Sequence, residues 1–378
     1  SGELMVIIPP EVDEEWGNMN EWTRVIGTGP FTIKDYVPGS ALTMERYPAY
    51  WMYDPVHPEN RLPYVDTVKI HIIADASTRI AGLRTAKIDA YSLSFDDAED
   101  VIATTPDLMY VEVPQTAPSL IFFDLRKEPY SDIRVRRALQ IGVDQKAISD
   151  SYYGGHSEWY SFPILPMPEH SDMYTPLEEM PESVQELFGY DVDTAKALLA
   201  EAGYPNGFKA KVICYDAYVD MLSIFKDYWI KIGVDLELDV KEYSVWQSME
   251  TSKTYDDMIV RGLSGSSTSH KLYTYRGCET GPVENLGFVC DPLMDDTYEE
   301  MLDNYFKPEV RRGLFRDLVP YILDKVWMIQ MPAAHLFNFW WPWVKGYHGE
   351  ICVGYYDIGN WPIYVWVDQD LKAEMTGK

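Results

Sequence analysis

A strand-like run that leads directly into a capped amphipathic helix is the feature that most constrains the fold of this sequence. It covers residues 124–155, DLRKEPYSDIRVRRALQIGVDQKAISDSYYGG. Ser131 or Asp132 can cap the helix, and two glycines end it. Apolar residues recur at three-to-four-residue spacing, which predicts one helix with a single buried stripe. The stripe consists of Val135, Ala138, Leu139, Gly142, Val143 and Ala147.

The polar residues of this helix are expected to lie off the buried stripe. They are Arg134, Arg136, Arg137, Gln145 and Lys146. Exposed arginines are commonly solvated or paired with carboxylates. We expect that of these arginines, rather than direct contact with a ligand.

The length of the chain predicts two lobes, because 378 residues exceed what one hydrophobic core usually serves. The aromatic share of 14 % is high, with 28 Tyr and 12 Trp. Tyrosine and tryptophan combine an apolar body with a polar tip. This surplus therefore fits a wet binding cleft as well as a large core.

The charge balance excludes two classes of partner. Lysine and arginine number 32 against 60 aspartates and glutamates, a formal net charge of −28. Such a field repels phosphate backbones and anionic lipids, so neither nucleic acid nor an electrostatically bound membrane is expected. No apolar run reaches the length of about 18 residues that predicts a transmembrane helix. The first residues, SGELMVIIPPEV, are typical of the middle of a domain, and we expect a piece of a longer protein.

The cysteines do not predict a metal site. Cys214, Cys278, Cys290 and Cys352 lack the CxxC spacing of a zinc ribbon or of a thioredoxin-like site. Cys278 and Cys290 bracket a loop that contains glycine and proline. In an oxidising compartment they could close this loop as a disulfide.

Strand and helix patterns alternate along the whole chain. After a turn at residues 27–30, the runs FTIKDYV and ALTMERY predict an antiparallel pair of strands. Between residues 191 and 262 a helix, a strand, a longer helix and further strands follow one another. The pattern predicts an α/β fold with mixed sheets flanked by helices.

Four segments, in this order and spacing, resemble those of the extracellular solute-binding proteins of family 5, the peptide- and nickel-binding components of ABC importers. They are GTGPFTIKDYVPGSALTMERYPAYW at 27–51, DASTRIAGLRTAKIDAYSL at 75–93, SDIRVRRALQIGVDQKAI at 131–148 and DVDTAKALLAEAGYPNGF at 191–208. The resemblance covers nearly the whole chain.

The resemblance implies a two-lobed fold of the type II periplasmic-binding-protein kind. Residues 1–123 are then the remaining part of the first lobe, 124–332 the second lobe, and 333–378 the return to the first. Family members begin well before the equivalent of residue 1, so the N-terminal part of the first lobe is expected to be missing here. The expected hinge residues are Phe122, Phe123, Asp124, Met331 and Pro332.

The resemblance also implies a function. Members capture a solute in a cleft between the lobes by hinge closure, without a cofactor, and pass it to ABC transporter permease subunits. The expected solute is of the oligopeptide family, or a non-peptide such as an oligosaccharide. The protein is expected to be periplasmic or extracellular, with membrane contact only through a lipid anchor or the permease.

The loop at residues 261–278, RGLSGSSTSHKLYTYRGC, is the first candidate ligand site, because it leaves the end of a predicted strand. Peptide binders of the family carry here an aromatic residue and an acidic residue that pairs with the peptide amino terminus. This loop has no carboxylate, which weakens the prediction of a peptide ligand and favours a neutral polyol or an anion. A flexible surface loop is the alternative, and His270 alone does not predict a metal. The candidate contacts are Arg261, Ser266, Ser267, Thr268, Ser269, His270, Tyr273, Tyr275 and Arg276.

A tryptophan-rich stretch at residues 336–366 is the second candidate. Trp340, Trp341 and Trp343 are expected to alternate partly in and out of a strand, so that some lie on a less buried face. They could stack on a sugar or an aromatic ligand. Packing against absent sequence is the favoured interpretation.

A carbohydrate-active enzyme and a ligand sensor on the same fold are the alternatives. Paired carboxylates catalyse glycoside hydrolysis, but the pairs in this chain lie at predicted helix starts and turns, where capping explains them. No GxSxG, HExxH or Walker pattern occurs. The chain is therefore not expected to be an enzyme. The carboxylates in question are Asp96, Asp97, Asp256, Asp257, Asp295 and Asp296.

Overall fold

A computed structural model describes residues 10–115, 118–262, 272–278, 282–350 and 361–377. The chain divides into two compact units. Unit 1 comprises Ser1–Val113 and Leu336–Lys378, and unit 2 comprises Pro114–His335. Among the described residues, no helix is long and apolar enough to cross a membrane.

The elements alternate as an α/β fold requires. The helices are α1 (Pro10–Trp16), α2 (Ala76–Arg84), α3 (Phe95–Thr104), α4 (Ile133–Ile141), α5 (Gln145–Tyr152), α6 (Glu182–Gln185), α7 (Val192–Glu201), α8 (Val219–Trp229), α9 (Tyr243–Ser252), α10 (Pro292–Asp303), α11 (Pro308–Lys325) and α12 (Gln369–Thr376). The strands are β1 (Phe31–Val37), β2 (Ala41–Arg46), β3 (Thr67–His71), β4 (Ala90–Leu93), β5 (Met109–Pro114), β6 (Ser119–Phe123), β7 (Ser157–Glu158), β8 (Phe208–Cys214), β9 (Val234–Val240), β10 (Met258–Gly262), β11 (Met328–Gln330), β12 (Ala333–Trp340), β13 (Val344–Lys345) and β14 (Trp366–Val367).

Unit 1 is built on antiparallel pairing. The predicted return of ALTMERY onto FTIKDYV is confirmed, because β2 pairs antiparallel with β1 and then with β3. No side chain of these three strands is fully buried. The core of the unit lies instead around β12, which pairs antiparallel with β4 and packs against α2 and α3.

Unit 2 is built on a five-stranded sheet in the order β11-β6-β10-β8-β9. Strand β6 is antiparallel to both of its neighbours, whereas β10, β8 and β9 run parallel to one another. Leu120 and Phe122 point into one core, and Ile121 and Phe123 into the other. Because helices cover both faces, β6 is apolar at every one of these positions.

The predicted hinge at Phe122, Phe123 and Asp124 is wrong in its position. These residues lie at the end of β6, inside unit 2, and all three are fully buried. An apolar strand that pairs on both sides has the same sequence pattern as an apolar crossing segment. The chain passes between the units before β6, at Pro114, and again within β12, after His335.

The single helix predicted after β6 is two helices. Asp132 caps α4, since its side chain accepts a hydrogen bond of 2.8 Å from the backbone N–H of Arg134. Asp144 caps α5 in the same way, with a bond of 2.8 Å from Ala147. The second cap starts a new helix because its side chain satisfies an N–H group that a continuous helix would use itself.

Arg136 and Gln145 were predicted to lie off the buried stripe, but both are buried. Periodicity missed them because each is satisfied by backbone carbonyls, as buried polar groups must be. The amide of Gln145 donates to the carbonyl of Gln330 at 2.7 Å. Burial lowers the pKa of Arg136 to about 10, so it remains a cation at neutral pH. Its guanidinium donates to the carbonyls of Tyr130, Ser131, Lys325 and Val326.

Replacing Arg136 tests this arrangement. Arg136→Met should lower the free energy of unfolding by about 3 kcal/mol, because four carbonyls, those of Tyr130 and Val326 buried, lose a charged donor. The matched control is Arg134→Met on the same helix. The exposed ion pair of Arg134 with Asp132 should contribute less than about 1 kcal/mol. Urea unfolding of both variants measures the difference. Equal losses would show that Arg136 does not hold α4 to the end of α11.

Candidate ligand-binding site

The carboxyl ends of three parallel strands meet at one edge of the sheet in unit 2. Strands β8 and β9 are paired over their whole length, and β10 runs parallel beside β8. Strand ends at such an edge are where α/β proteins commonly bind ligands. The side chains at and just after the ends of β8, β9 and β10 are therefore the candidates for ligand contact.

Four aromatic side chains, the aromatic cluster, gather at this edge. The ring of Tyr215, just after β8, lies with its centroid 4.8 Å from that of Tyr218, 5.1 Å from Tyr243 and 4.9 Å from Trp246. All three contacts are edge-on, the favourable geometry for aromatic rings. Tyr243 is 50 % exposed, so the cluster presents a ring to solvent.

A hydrogen bond from the backbone of β10 joins this strand to the aromatic cluster. The hydroxyl of Tyr218 accepts a hydrogen bond of 2.9 Å from the N–H of Gly262, the last residue of the strand. Burial, the largest cause, raises the pKa of the Tyr215 hydroxyl, which stays protonated at neutral pH. The Tyr215 side chain is therefore an uncharged part of the cluster.

A buried ion pair lies beside the aromatic cluster. Nη1 of Arg261 is 2.8 Å from Oε1 of Glu250, and the two side chains are 25 % and 10 % exposed. Glu250 follows Trp246 by one turn of α9, so both are on the same side of the helix. Burial raises the pKa of Glu250, the charge of Arg261 lowers it, and Glu284 raises it further. The net shift is upward because burial outweighs the ion pair.

Of the residues predicted from the loop at 261–278, the structure places Arg261 at this edge. Ser266, Ser267, Thr268, Ser269 and His270 lie outside the described residues.

The predicted contacts at the end of that loop take part in packing. The guanidinium of Arg276 lies 3.9 Å from the ring centroid of Tyr298 and is paired with Glu299 at 3.6 Å. The ring of Tyr273 packs edge-on against Tyr298 at 5.7 Å. Tyr275 is fully buried among core residues, and the prediction that it contacts a ligand is wrong because no part of it is accessible.

Cys278 and Cys290 are joined by a disulfide, with Cα atoms 4.3 Å apart. The side-chain amide of the buried Asn285 fills the loop between them, donating to the carbonyls of Arg276 and Val289, both at 2.9 Å. Cys214 is a free, buried thiol whose pKa burial raises to about 11.

Trp340, Trp341 and Trp343 are all buried, and the predicted alternation of exposed and buried tryptophans is wrong. Strand β12 ends at Trp340, so the other two do not follow the period of a strand. The rings of Trp341 and Trp343 stack with centroids 4.6 Å apart and planes within 3°. Their indole N–H groups donate to the Leu83 carbonyl and the Asp89 carboxylate.

Trp341 and Trp343 also line a groove of about 450 Å³ in unit 1. Its sides include Arg84 and Lys372, which are already paired with Asp100 and Asp89. Stacking of a ligand on these tryptophans is not supported, because both side chains are buried and their rings already stack on each other.

Most residues of this site were not predicted from the sequence. Arg261 was predicted, but Tyr215, Tyr218, Tyr243, Trp246 and Glu250 were not. The sequence does contain a signal for them. Aromatic residues follow the predicted strands KAKVIC and VDLELDV, just as they follow the strand that leads into the loop at 261–278. Together these side chains can stack on an apolar or planar group and can donate hydrogen bonds to an oxygen acceptor.

The sequence matches the bacterial extracellular solute-binding proteins, family 5 Middle, over residues 3–283. It is 32 % identical over 189 residues to the heme-binding protein A of Haemophilus influenzae, covering 50 % of this chain and 31 % of that protein. It is 27 % identical over 228 residues to the dipeptide-binding protein of Escherichia coli, covering 58 % of this chain and 39 % of that protein. The matched part thus spans well under half of the length of these relatives.

Solved structures share the fold. AgaA from A. tumefaciens R10, in complex with agropinic acid, superimposes with a TM-score of 0.75 at 22 % identity, covering 96 % of this chain and 71 % of that one. DppA from Helicobacter pylori, in complex with the peptide STSA, gives a TM-score of 0.72 at 19 % identity, covering 90 % and 63 %. These superpositions show the two-lobed type II periplasmic-binding-protein fold. At such low sequence identity they do not identify the ligand of this chain.

The ion pair predicts a pH-dependent effect on stability. Arg261→Leu should destabilise the protein by about 1–3 kcal/mol at pH 8, because it leaves the Glu250 carboxylate buried without its cation. A carboxyl group with a raised pKa in the folded state destabilises that state as the pH rises through this pKa. The loss should therefore be smaller at pH 5, where more of Glu250 is protonated, than at pH 8.

Urea unfolding of the wild type and the variant at both pH values measures this effect. Arg316→Leu is the control, because Arg316 forms an exposed pair with Asp317 and should change stability by about 0.5 kcal/mol or less at either pH. A loss for Arg261→Leu that does not depend on pH would contradict the assignment of the effect to Glu250.

Proposed function

The chain belongs to the bacterial extracellular solute-binding proteins of family 5, and we propose that the protein captures a solute outside the cytoplasm and delivers it to the permease subunits of an ABC importer. The family and the fold are those of binding proteins, and the proposed mechanism is capture without catalysis. Contact with the membrane is proposed to occur through the permease or a lipid anchor.

One observation carries this proposal beyond family membership. The aromatic cluster and Arg261 lie together where three parallel strands of unit 2 end, and Tyr243 presents a half-exposed ring there. Aromatic side chains supply large contact areas at low cost in side-chain entropy. Such a surface suits the reversible binding of an organic solute better than a chemical reaction.

Capture is proposed to follow the hinge mechanism of two-lobed binding proteins. A solute that binds the closed form more tightly than the open form raises the population of the closed form, which the permease then recognises. We place the hinge at the two passages of the chain, before β6 and after β11. Met331 and Pro332, which were predicted as hinge residues, also lie inside unit 2, a few residues before the return passage after His335.

The charged groups at the site favour an uncharged or anionic solute with an apolar or planar face over a free peptide. Residues 261–278 contain no carboxylate. Glu250, the carboxylate beside the aromatic cluster, is already paired with Arg261. A peptide ammonium would therefore find no unpaired carboxylate at Glu250 or within residues 261–278, and a charge-assisted bond is the stronger kind. Relatives are named for ligands as different as heme and dipeptides, and a non-peptide solute lies within that range.

A thermal-shift screen of the full-length protein tests the solute class. The panel contains di- to pentapeptides, oligosaccharides and small organic anions, each at the same concentration. A bound solute stabilises the folded state by RT ln(1 + [L]/Kd), so at equal concentration the tightest binder gives the largest shift in melting temperature. We expect that compound to be a non-peptide. If peptides stabilise the protein most, the proposed solute class is wrong, although the role in binding stands.

The aromatic cluster should contribute directly to affinity. Tyr243→Ala should weaken binding of the best compound from that screen by about 1 kcal/mol, or roughly fivefold, through loss of a stacking contact. Tyr190→Ala is the control, because Tyr190 is also partly exposed in unit 2 but packs on Tyr228. Isothermal titration calorimetry measures both. Equal affinities for Tyr243→Ala and the wild type would remove the cluster from the site.

A further inference from the structure

Two histidines and a glutamate lie together on one short pair of strands in unit 2. Strand β7 pairs antiparallel with the start of β12, in a register that places Ser157 opposite Ala334. The backbone N–H of His335 donates to the carbonyl of His156 at 2.9 Å, which continues the pairing by one position. His156 and His335 are therefore directly opposite each other.

The strand geometry brings three side chains to one face of this pair. Opposite residues in an antiparallel pair share a face, and side chains alternate between the two faces along a strand. His335 is opposite His156, and Glu158 follows His156 by two positions. The side chains of all three residues therefore lie on the same face.

The distances between the polar atoms of these side chains fit the binding of a metal ion. A ring nitrogen of His156 lies within 4.8 Å of one of His335. Nε2 of His335 is 3.2 Å from Oε1 of Glu158. A tetrahedral zinc ion with bonds of about 2.0–2.1 Å holds its ligand atoms about 3.3 Å apart. His335 and Glu158 are thus spaced as two ligands of one ion, and a movement of at most about 1.5 Å would give His156 the same spacing from His335.

The surroundings of these side chains suit a bound cation. The side chains of His335 and Glu158 are 15 % and 30 % exposed, and His156 is also partly buried. They are sheltered enough to be held in place, and an ion can still reach them from solvent. The net charge of −28 raises the concentration of cations around the protein.

The types of ligand select the class of metal. Imidazole nitrogen suits zinc, nickel, cobalt and copper, whereas calcium and magnesium prefer oxygen ligands alone. Two histidines and one glutamate also form a ligand set in which zinc keeps a position for water. A hydrogen bond between a histidine and a glutamate would need only two of the three residues.

We propose that His156, Glu158 and His335 bind one divalent transition-metal ion, for which zinc is the probe. The ion joins β7 to the start of β12 and so fixes the segment by which the chain leaves unit 2. The site uses no residue of the aromatic cluster and does not depend on the proposed function. Glu158 and His335 are 177 residues apart in the sequence, so no local motif predicts the site.

A zinc titration of the untagged full-length protein, first stripped with a chelator, tests the site. The wild type should bind one zinc ion more than His335→Ala or His156→Ala, with a dissociation constant in the low micromolar range or below. His57→Ala is the matched control. His57 also lies beside a carboxylate, 3.8 Å from Glu59, but it is not on a strand opposite a second histidine. This variant should bind as much zinc as the wild type.

The glutamate has a test of its own. Glu158→Gln keeps the size of the side chain but removes the carboxylate. It should weaken zinc binding at least about tenfold, the smallest effect expected even of a residue that only supports a ligand. The same titration measures this change.

Two further measurements separate metal binding from folding. Zinc should raise the melting temperature of the wild type but not that of His335→Ala, because an ion that binds only the folded state stabilises it. Melting curves in chelator show whether the variant is folded. X-ray absorption at the zinc edge, on wild type loaded with one equivalent, should show imidazole nitrogens at about 2.0–2.1 Å. This spectrum needs no variant, so it tests the proposal even if a substitution prevents folding.

Several outcomes would overturn the proposal. Equal zinc binding by the wild type and both histidine variants is one of them. Displacement of the zinc by an equal concentration of calcium, or a spectrum with oxygen neighbours only, would show a site made of carboxylates alone. A protein that binds a solute but no zinc would contradict this inference alone, whereas one that binds zinc but no solute would contradict only the proposed function.

Discussion

The pairing of β6 on both of its sides is the constraint on which unit 2 depends. Backbone bonds join it to β10 and to β11, and its side chains fill two cores in alternation. The chain enters the unit just before β6 and leaves it soon after β11. Both passages therefore adjoin strands that are hydrogen-bonded to each other. Bending within β6 would break bonds on two sides at once.

The same sheet explains why ligand chemistry is concentrated at one edge. At the carboxyl ends of β8, β9 and β10, the cluster around Tyr215 presents aromatic surface, with Tyr243 half exposed. At the opposite end of β10, charged side chains are paired with one another. There Lys127 is 3.4 Å from the Asp124 carboxylate and donates to the carbonyl of Asp256 at 3.0 Å. Groups that satisfy one another in this way have little left to offer a solute, whereas the half-exposed ring of Tyr243 can still be contacted.

Local sequence signals predicted the elements that depend on local interactions. The cap at Asp132 and the β1–β2 hairpin are confirmed, because each depends on residues a few positions apart. The buried Arg136 could not be predicted, since its acceptors at Lys325 and Val326 lie on a distant helix end. The aromatic cluster was missed for a related reason. Only the parallel register of β8, β9 and β10 brings residues 215, 243 and 261 to one edge.

Long-range charge and local selectivity act separately in this molecule. The net charge of −28 concentrates cations around the protein and affects mainly the rate of encounter. Retention depends on the groups that a solute meets. Two carboxylates near the aromatic cluster are engaged, Glu250 by Arg261 and Glu242 by the N–H of Ser244 at the start of α9. Neither of these two is left as a partner for a cationic solute. Stacking and hydrogen-bond donors are then what the proposed site offers a solute.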